Sequence, residues 1–148
     1  MLSVLSLSVV NTQRRSAQIE ITVLQGNDIL RGLDQFYYAN CDDPASAPTP
    51  TIANLVSADY IQRASQARTP LLSADMTPSV SFTAPRIIGI SIPAKSEAIA
   101  QSLQRAFGRG TLSGTVLTIQ RVPSLYDLEP SSDRNTFNGL FTTPKCLI

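Results

Sequence analysis

The residues that could carry chemistry are few, because the 148-residue chain contains no histidine. Histidine is the commonest general base and the commonest metal ligand in proteins, so we exclude zinc sites and hydrolysis by a serine–histidine pair. A serine nucleophile would need a lysine as its base, and the lysines are Lys95 and Lys145. Lys95 precedes Ser96, but this pair is better explained as the beginning of a helix that Ser96 caps. The sequence therefore predicts no catalytic site and no enzyme.

Two other segments have the residue types of ligand sites. Residues 108–110 read Gly-Arg-Gly, as in a phosphate-binding loop, but they follow a predicted helix whereas such a loop precedes one. We therefore expect a helix C-cap and a turn there. Near the C-terminus, four side chains offer oxygen ligands that could hold calcium: Asp127, Glu129, Asp133 and Asn135. Their spacing lacks the EF-hand pattern, so a solvated loop is the preferred interpretation, and we predict neither a metal site nor a cofactor.

Charge and length limit the remaining classes of function. Lys and Arg together number 12, Asp and Glu number 11, and charged residues make up 16% of the chain. Because there is no basic stripe that could follow a phosphate backbone, nucleic acid is not expected as a primary partner. A chain of this length buries roughly two-thirds of the surface of its unfolded form, so one hydrophobic core is expected.

The chain has two cysteines, Cys41 and Cys146, and neither lies in a CxxC redox motif. In a reducing compartment they would be unrelated thiols. In an oxidising compartment they could join the C-terminal segment to the end of a long helix. Closing a loop of about 105 residues in this way would stabilise the fold by about 4 to 5 kcal/mol, less any strain.

The element that organises the chain is this helix, predicted over residues 12–40. Its principal apolar side chains recur at the spacing of one helical stripe: Ile19, Val23, Leu30, Leu33 and Tyr37. The opposite face is polar and includes Asp34, so we predict that one side of the helix meets a core or a partner and the other meets water. Gly26 and Gly32 lie inside the helix at a cost of about 1 kcal/mol each relative to alanine, which indicates close packing or a gentle bend.

Residues 1–10, which read MLSVLSLSVV, are uncharged and largely aliphatic. A helix needs about 20 apolar residues to span a bilayer, so this segment cannot span one alone. A secretory signal would carry its basic residues before the apolar run, whereas here Arg14 and Arg15 follow it. Two interpretations remain: the segment is the apolar first part of the long helix, buried in the protein, or it is the distal half of a membrane-embedded helix that begins upstream of Met1.

The rest of the chain predicts a small sheet and two short helices. Two segments have helical spacing: residues 51–61, where Thr51 can serve as the cap, and residues 96–107. Two others alternate with a period of two and predict antiparallel strands: residues 79–92, broken at Pro85, and residues 111–122. The predicted fold class is therefore α+β, with a long N-terminal helix packed on a small antiparallel sheet.

The order of these parts resembles that of the type IV pilin-like family, which includes minor pilins and the pseudopilins of type II secretion. The amphipathic helix ends in LDQFY at residues 33–37, and after a proline-rich loop the segment PTIANLVSADYI follows at residues 50–61. The passage from residues 33–37 to residues 50–61 is similar to a pattern of the family. In that pattern, a helix end that bears a tyrosine precedes Pro-Thr, then Leu-Val, then an aromatic and an aliphatic residue. The prepilin motif with which family members begin is absent from this chain.

The resemblance implies a long helix packed on a four-stranded antiparallel sheet. It also implies that copies assemble into a helical filament through this helix, whose assembly residues would be those of the apolar stripe. It implies that residues 1–11 are the remnant of a membrane-embedded or filament-core helix and that residues 12–148 form a single globular domain. It also implies a C-terminal segment stapled by a disulfide, here Cys41 with Cys146, although family members usually take the partner cysteine from later in the chain than Cys41.

The function implied by the resemblance is that of a structural or assembly component of a type IV pilus or type II secretion filament, as a minor pilin or pseudopilin that is processed and methylated. Its partners would be other pilin or pseudopilin subunits and the inner membrane, reached through the N-terminal helix. Its location would be the bacterial inner membrane and periplasm, or a surface pilus. The alternative is a soluble oligomerising binding module, or a virion structural module, with no membrane involvement.

Overall fold

A computed structural model describes the backbone of residues 2–124 and the side chains of residues 12–124. Its dominant element is helix α1, Leu2–Asn40, which is continuous over 39 residues and therefore about 58 Å long. The helix predicted over residues 12–40 is confirmed, and it continues toward the N-terminus without a break. The C-terminal part of α1 buries one side completely: Ile29, Leu30, Leu33, Phe36 and Tyr37.

Between α1 and the sheet lies one short α-helix, α2, which spans Ile52–Ser57. The side chain of Thr51 caps it by accepting the N–H of Asn54 at 3.1 Å, as predicted. The helix is shorter than the predicted 51–61, because Asp59 adopts a φ of 60° that turns the chain away from the helix axis. Two 3₁₀ turns flank α2: Pro44–Ser46 and Ala64–Ala67.

The sheet has four antiparallel strands in the order β1-β2-β4-β3. The strands are β1 Thr77–Ser81, β2 Ile87–Pro93, β3 Thr111–Ser113 and β4 Val116–Arg121. Large aliphatic side chains alternate along the two central strands and are all at most 1% exposed: Ile88, Ile90, Ile92, Leu117 and Ile119. They form one face of the sheet, which packs against α1. The protein is therefore α+β, with a long N-terminal helix on a four-stranded antiparallel sheet.

The strand boundaries confirm one prediction and change another. The break at Pro85 is confirmed, since β1 ends at Ser81 and β2 begins at Ile87. The segment 111–122, which the alternation predicts as one strand, is instead a tight hairpin of β3 and β4. Gly114 has a φ of 61° and begins the turn between them, in a backbone conformation that glycine adopts without steric cost.

Helix α3, Glu97–Phe107, confirms the prediction for residues 96–107. Ser96 Oγ accepts the N–H of Ile99 at 3.2 Å, and Gly108 ends the helix with a φ of 75°. The apolar stripe of α3 is buried: Ile99, Ala100 and Leu103. This stripe places α3 beside α1 and β4 on the same core.

The two glycines inside α1 bring neighbouring elements close to the helix. A methyl group on Gly26 would lie 2.8 Å from the ring of Phe107 in α3. A methyl group on Gly32 would lie 2.9 Å from the backbone oxygen of Tyr60 and 2.8 Å from Ile61. The predicted close packing at these positions is confirmed, and it fixes how α3 and the segment after α2 sit on α1.

Candidate functional site

The apolar stripe predicted for α1 faces the chain's own core over its C-terminal half. Leu30, Leu33 and Tyr37 are at most 2% exposed. Ile19 is partly buried against the same core, and Val23 is also partly buried. The sequence left open whether this stripe meets a core or a partner, and from Leu30 onward it meets the core of the same chain.

The opposite side of α1 exposes a different set of apolar residues. Ile21 is 48% exposed and Leu24 is 62% exposed. Ala17, one helical turn before Ile21, is exposed as well. The single-stripe interpretation of the sequence missed Ile21, because α1 carries a second apolar stripe on the side away from the core.

The described side chains in the N-terminal part of α1 are exposed. Every side chain from Thr12 to Ala17 is exposed, whereas Ile19 packs against the core. The helical backbone begins at Leu2, so about 25 Å of helix precede the packed half. We call α1 from Ile19 onward its anchored half and the part before Ile19 its projecting half.

An ion pair fastens the anchored half of α1 to the end of β4. The carboxylate of Asp34, which is 0% exposed, accepts hydrogen bonds from Nη2 and Nη1 of Arg121 at 2.6 and 2.8 Å. It also accepts the backbone N–H of Ser124 at 2.9 Å. Two-pronged, charge-assisted contacts of this kind are strong and geometrically specific. The prediction that Asp34 faces water was wrong, because a carboxylate can be buried when a guanidinium and a backbone N–H satisfy it.

Tyr38 lies beside this ion pair and adds a second link to the same part of the chain. Its hydroxyl donates to the backbone oxygen of Pro123 at 3.3 Å. Burial, and next the charge of Asp34, raise the pKa of Tyr38 above its ordinary value of 10.0. Nearby, the ring of Phe82 stacks on that of Tyr37 with centroids 5.4 Å apart. These contacts hold α1, β4 and the connection after β1 in one arrangement.

Two of the three segments with the residue types of catalytic or ligand sites have structural roles. Ser96 Oγ is engaged as the cap of α3, and Lys95 is exposed. The backbone oxygen of Gly110 accepts a hydrogen bond from the Gln104 amide at 2.8 Å, so the Gly-Arg-Gly segment forms the predicted C-cap and turn. Among the described residues, no group of three or more His, Cys, Asp or Glu could hold a metal ion. The calcium candidates in 127–135 lie outside those residues.

Cys41 is partly buried at the end of α1, where its Sγ lies 3.6 Å from the backbone oxygen of Tyr38. Cys146 lies outside the described residues, so the disulfide between the two stays a prediction. The assignment of residues 1–11 to a membrane or a filament core also stays a prediction.

Comparison with known proteins does not identify a family for this chain. No protein-family model, no curated protein and no solved structure matches it significantly. In the part of the chain that the structure describes, no helix combines the length and the hydropathy needed to cross a bilayer. The function of the protein must therefore be inferred from its fold and from the placement of residues along α1.

Proposed function

We propose that this chain is a structural and assembly subunit of a type IV pilus or of a type II secretion filament, in the role of a minor pilin or pseudopilin. Its partners are other pilin or pseudopilin subunits, which pack with it in a helical filament, and the inner membrane, which its N-terminal helix enters. It acts in the bacterial inner membrane and periplasm or in a surface pilus. Its function is carried by contacts between subunits.

The observation that carries this proposal is the division of α1 into an anchored and a projecting half. The anchored half is held by buried apolar side chains and by the pair of Asp34 with Arg121. The side chains at the start of the described range, Thr12 to Ala17, are exposed. A rigid helix that is anchored at one end presents the other end to neighbours at a defined angle, and one repeated asymmetric contact then generates an open helical assembly.

The fold supports the same proposal. A long helix on a four-stranded antiparallel sheet is the architecture that the resemblance implies. The two segments that carry the resemblance, residues 33–37 and 50–61, contribute to one hydrophobic core. Leu33 of the first and Leu55 of the second are both 0% exposed in that core.

The first experiment compares the full chain with a chain that begins at Gln18, using sedimentation velocity over a wide concentration range. We expect the full chain to associate and the shortened chain to stay monomeric. Both should unfold at a similar urea concentration, because the described side chains in the deleted part are exposed. A full chain that stays monomeric, or a shortened chain that associates as strongly, would contradict the proposal.

The second experiment determines where the protein is located in its native host. Sheared surface filaments, the inner-membrane fraction and the soluble cytoplasmic fraction are analysed by mass spectrometry. We expect the chain in one of the first two fractions. Recovery in the cytoplasmic fraction alone would refute the assignment to a pilus or secretion filament.

A second candidate function, a soluble oligomerising module, is favoured by one observation. Ile21 and Leu24 expose aliphatic surface on α1 that a partner helix could cover without any membrane. A chain that lacks residues 1–10 separates the two candidates by sedimentation velocity. A stable small oligomer would favour the soluble module, and a monomer favours the filament subunit.

A further inference from the structure

The face of the sheet that points away from α1 is open in the described part of the molecule. The two helices that pack on the sheet, α1 and α3, share one core with Ile90 and Leu117 on the opposite face. Because side chains alternate along a strand, every second residue points to the open side, which we call the outer face. Its described strand residues are serine, threonine, glycine, glutamine, proline, isoleucine and valine, and none of them is charged or aromatic. A solvated surface usually carries roughly a quarter to a third charged residues, so the outer face is unusual in having none.

Four residues with hydroxyl side chains form one row across the outer face. The strand register pairs Thr77 with Ser91, Ser91 with Thr118, and Thr118 with Thr111. Residues that lie directly opposite each other on neighbouring strands point to the same face of a sheet. We call these four residues the hydroxyl row. Because neighbouring strands are about 4.8 Å apart, the row presents one hydroxyl residue per strand over a length of about 14 Å.

The hydroxyl groups of the row are available to a ligand. Thr77 and Thr111 are exposed, and Ser91 and Thr118 are partly exposed at the centre of the sheet. Elsewhere on the outer face, Ser79 Oγ donates to the backbone oxygen of Gly89 at 3.4 Å. The four hydroxyls of the row, in contrast, have no hydrogen-bond partner among the described residues. Each of them can therefore both donate and accept a hydrogen bond.

The composition and size of the outer face exclude several classes of partner. Nucleic acid and anionic lipid need lysine or arginine, and the described strand residues of this face include neither. A stable protein complex buries about 800 Å² on each partner, whereas the four strands present roughly 350 Å² of sheet on this side. The face also lacks the aromatic or arginine anchors that dominate the binding energy of protein interfaces. A neutral ligand with regularly spaced hydroxyls fits the face better.

We propose that the hydroxyl row binds a neutral, extended glycan chain of the β-1,4-linked class, which lies across the four strands. One sugar unit of such a chain is about 5 Å long, which is close to the strand spacing of about 4.8 Å, so each strand meets one sugar. The hydroxyls of the sugars donate and accept as those of the row do. The inference goes beyond the proposed function, because contacts between subunits do not require the outer face.

Binding by a single copy of the protein is weak. Each neutral hydrogen bond replaces one with water, so a hydroxyl of the row contributes about threefold to tenfold in affinity. A polymeric glycan offers many equivalent sites, and several linked copies of the protein would bind it more tightly than one copy does. Insoluble glycan is therefore the suitable probe.

The first test measures binding of the full chain to suspended microcrystalline cellulose and to chitin, from the protein left in the supernatant. The double substitution Ser91→Ala and Thr118→Val removes the two central hydroxyls and should weaken binding about tenfold. The matched control is Thr49→Val, because Thr49 is an exposed threonine outside the sheet, and it should bind like the wild type. Wild-type protein that binds neither polymer, or equal binding by all three chains, would overturn the proposal. Urea denaturation should show that all three chains fold alike.

The second test determines the direction of the bound chain. Thr77→Val and Thr111→Val remove the hydroxyls at the two ends of the row, and each should weaken binding about threefold. Ser113→Ala is the control, because Ser113 lies on the same face of the same strand as Thr111 but pairs with Val116 outside the row. Weakening by Ser113→Ala that equals that of Thr111→Val would refute a chain laid along the row. Starch granules should bind at least tenfold more weakly, because α-1,4-linked chains coil, and equal binding to starch would refute the β-1,4 class.

Other occupants of the outer face give different results. If the row orders water as ice does, the protein should separate the freezing and melting temperatures of ice, and Thr118→Val should abolish this effect without any binding to glycan. If a second copy covers the face, Thr118→Lys should weaken association in sedimentation velocity. Either result would overturn the glycan site. A chain that assembles but binds no glycan refutes this inference alone, and a chain that binds glycan but stays monomeric refutes the proposed function alone.

Discussion

Nη2 and Nη1 of Arg121 donate hydrogen bonds to the carboxylate of Asp34 at 2.6 and 2.8 Å. The two residues are 87 positions apart in the sequence. Asp34 is completely buried, and its carboxylate also accepts the backbone N–H of Ser124 at 2.9 Å. This ion pair therefore joins α1 to the end of β4 and to the chain that leaves it.

Removing one member of this pair should destabilise the fold strongly. We expect Asp34→Ala to lower the free energy of unfolding by about 3 to 5 kcal/mol, because Arg121 would keep a largely buried charge without its carboxylate. Arg121→Lys should also destabilise, since lysine cannot make the two-pronged contact. Urea denaturation measures both. The double variant with Asp34→Leu and Arg121→Met should recover most of the loss, and strictly additive losses would show that the two residues do not act as a pair.

The stability of the protein should fall at alkaline pH. Burial raises the pKa of Tyr38 and of Tyr60 above 10.0, and the charge of Asp34 adds to the effect at Tyr38. Above about pH 10 the unfolded chain loses phenolic protons that the folded chain still binds, so the free energy of unfolding decreases as pH rises. Below this pH the contribution of these groups is fully present.

Urea denaturation from about pH 8 to pH 11 tests this dependence. Tyr38→Phe and Tyr60→Phe should each make the alkaline decrease shallower, and the two together should do so further. An unchanged pH dependence in the double variant would refute the assignment to these phenols.

The two glycines of α1 should respond differently to the same substitution. Gly32→Ala places a methyl group 2.9 Å from the backbone oxygen of Tyr60, which cannot move without shifting the chain after α2. We expect a loss of about 1 to 3 kcal/mol in the free energy of unfolding, which outweighs the helix propensity gained. Gly26→Ala places its methyl group 2.8 Å from the outer end of the half-buried Phe107 ring and 3.2 Å from Cδ1 of Ile90. Both contacts are with the ends of side chains, which can shift more easily than backbone, so the loss should be smaller. A Gly32→Ala variant more stable than the wild type in urea would contradict the packing.

The predicted disulfide between Cys41 and Cys146 is tested on protein exported by its native host. Mass spectrometry without reductant should give the mass of the chain less the two hydrogens lost on oxidation. Reduction should lower the free energy of unfolding by about 4 to 5 kcal/mol, and the variant with both cysteines replaced by serine should not respond to reductant. Detection of two free thiols would refute the disulfide.

The helix caps and the helix end were predicted correctly because they depend on contacts between residues that are close in the sequence. Thr51 and Ser96 cap their helices, and Gly108 ends α3, because each contact involves neighbouring backbone groups. The predicted end of α2 and the predicted single strand over residues 111–122 were wrong, and in each case the backbone conformation of one residue is the reason. Asp59 stops α2 early through a positive φ, and Gly114 turns one predicted strand into a hairpin. Glycine flanked by small polar residues was the signal for that hairpin.

The sequence by itself determined the helical and strand periodicities, the caps, and the limits that the lack of histidine sets on chemistry. Only the tertiary structure decided which side of α1 is covered, because periodicity shows where a stripe runs and not what lies against it. The burial of Asp34 depends on Arg121, which lies far away in the chain, so no local pattern contains it. Likewise, Ile21 and Leu24 are exposed because the core ends on the other side of the helix.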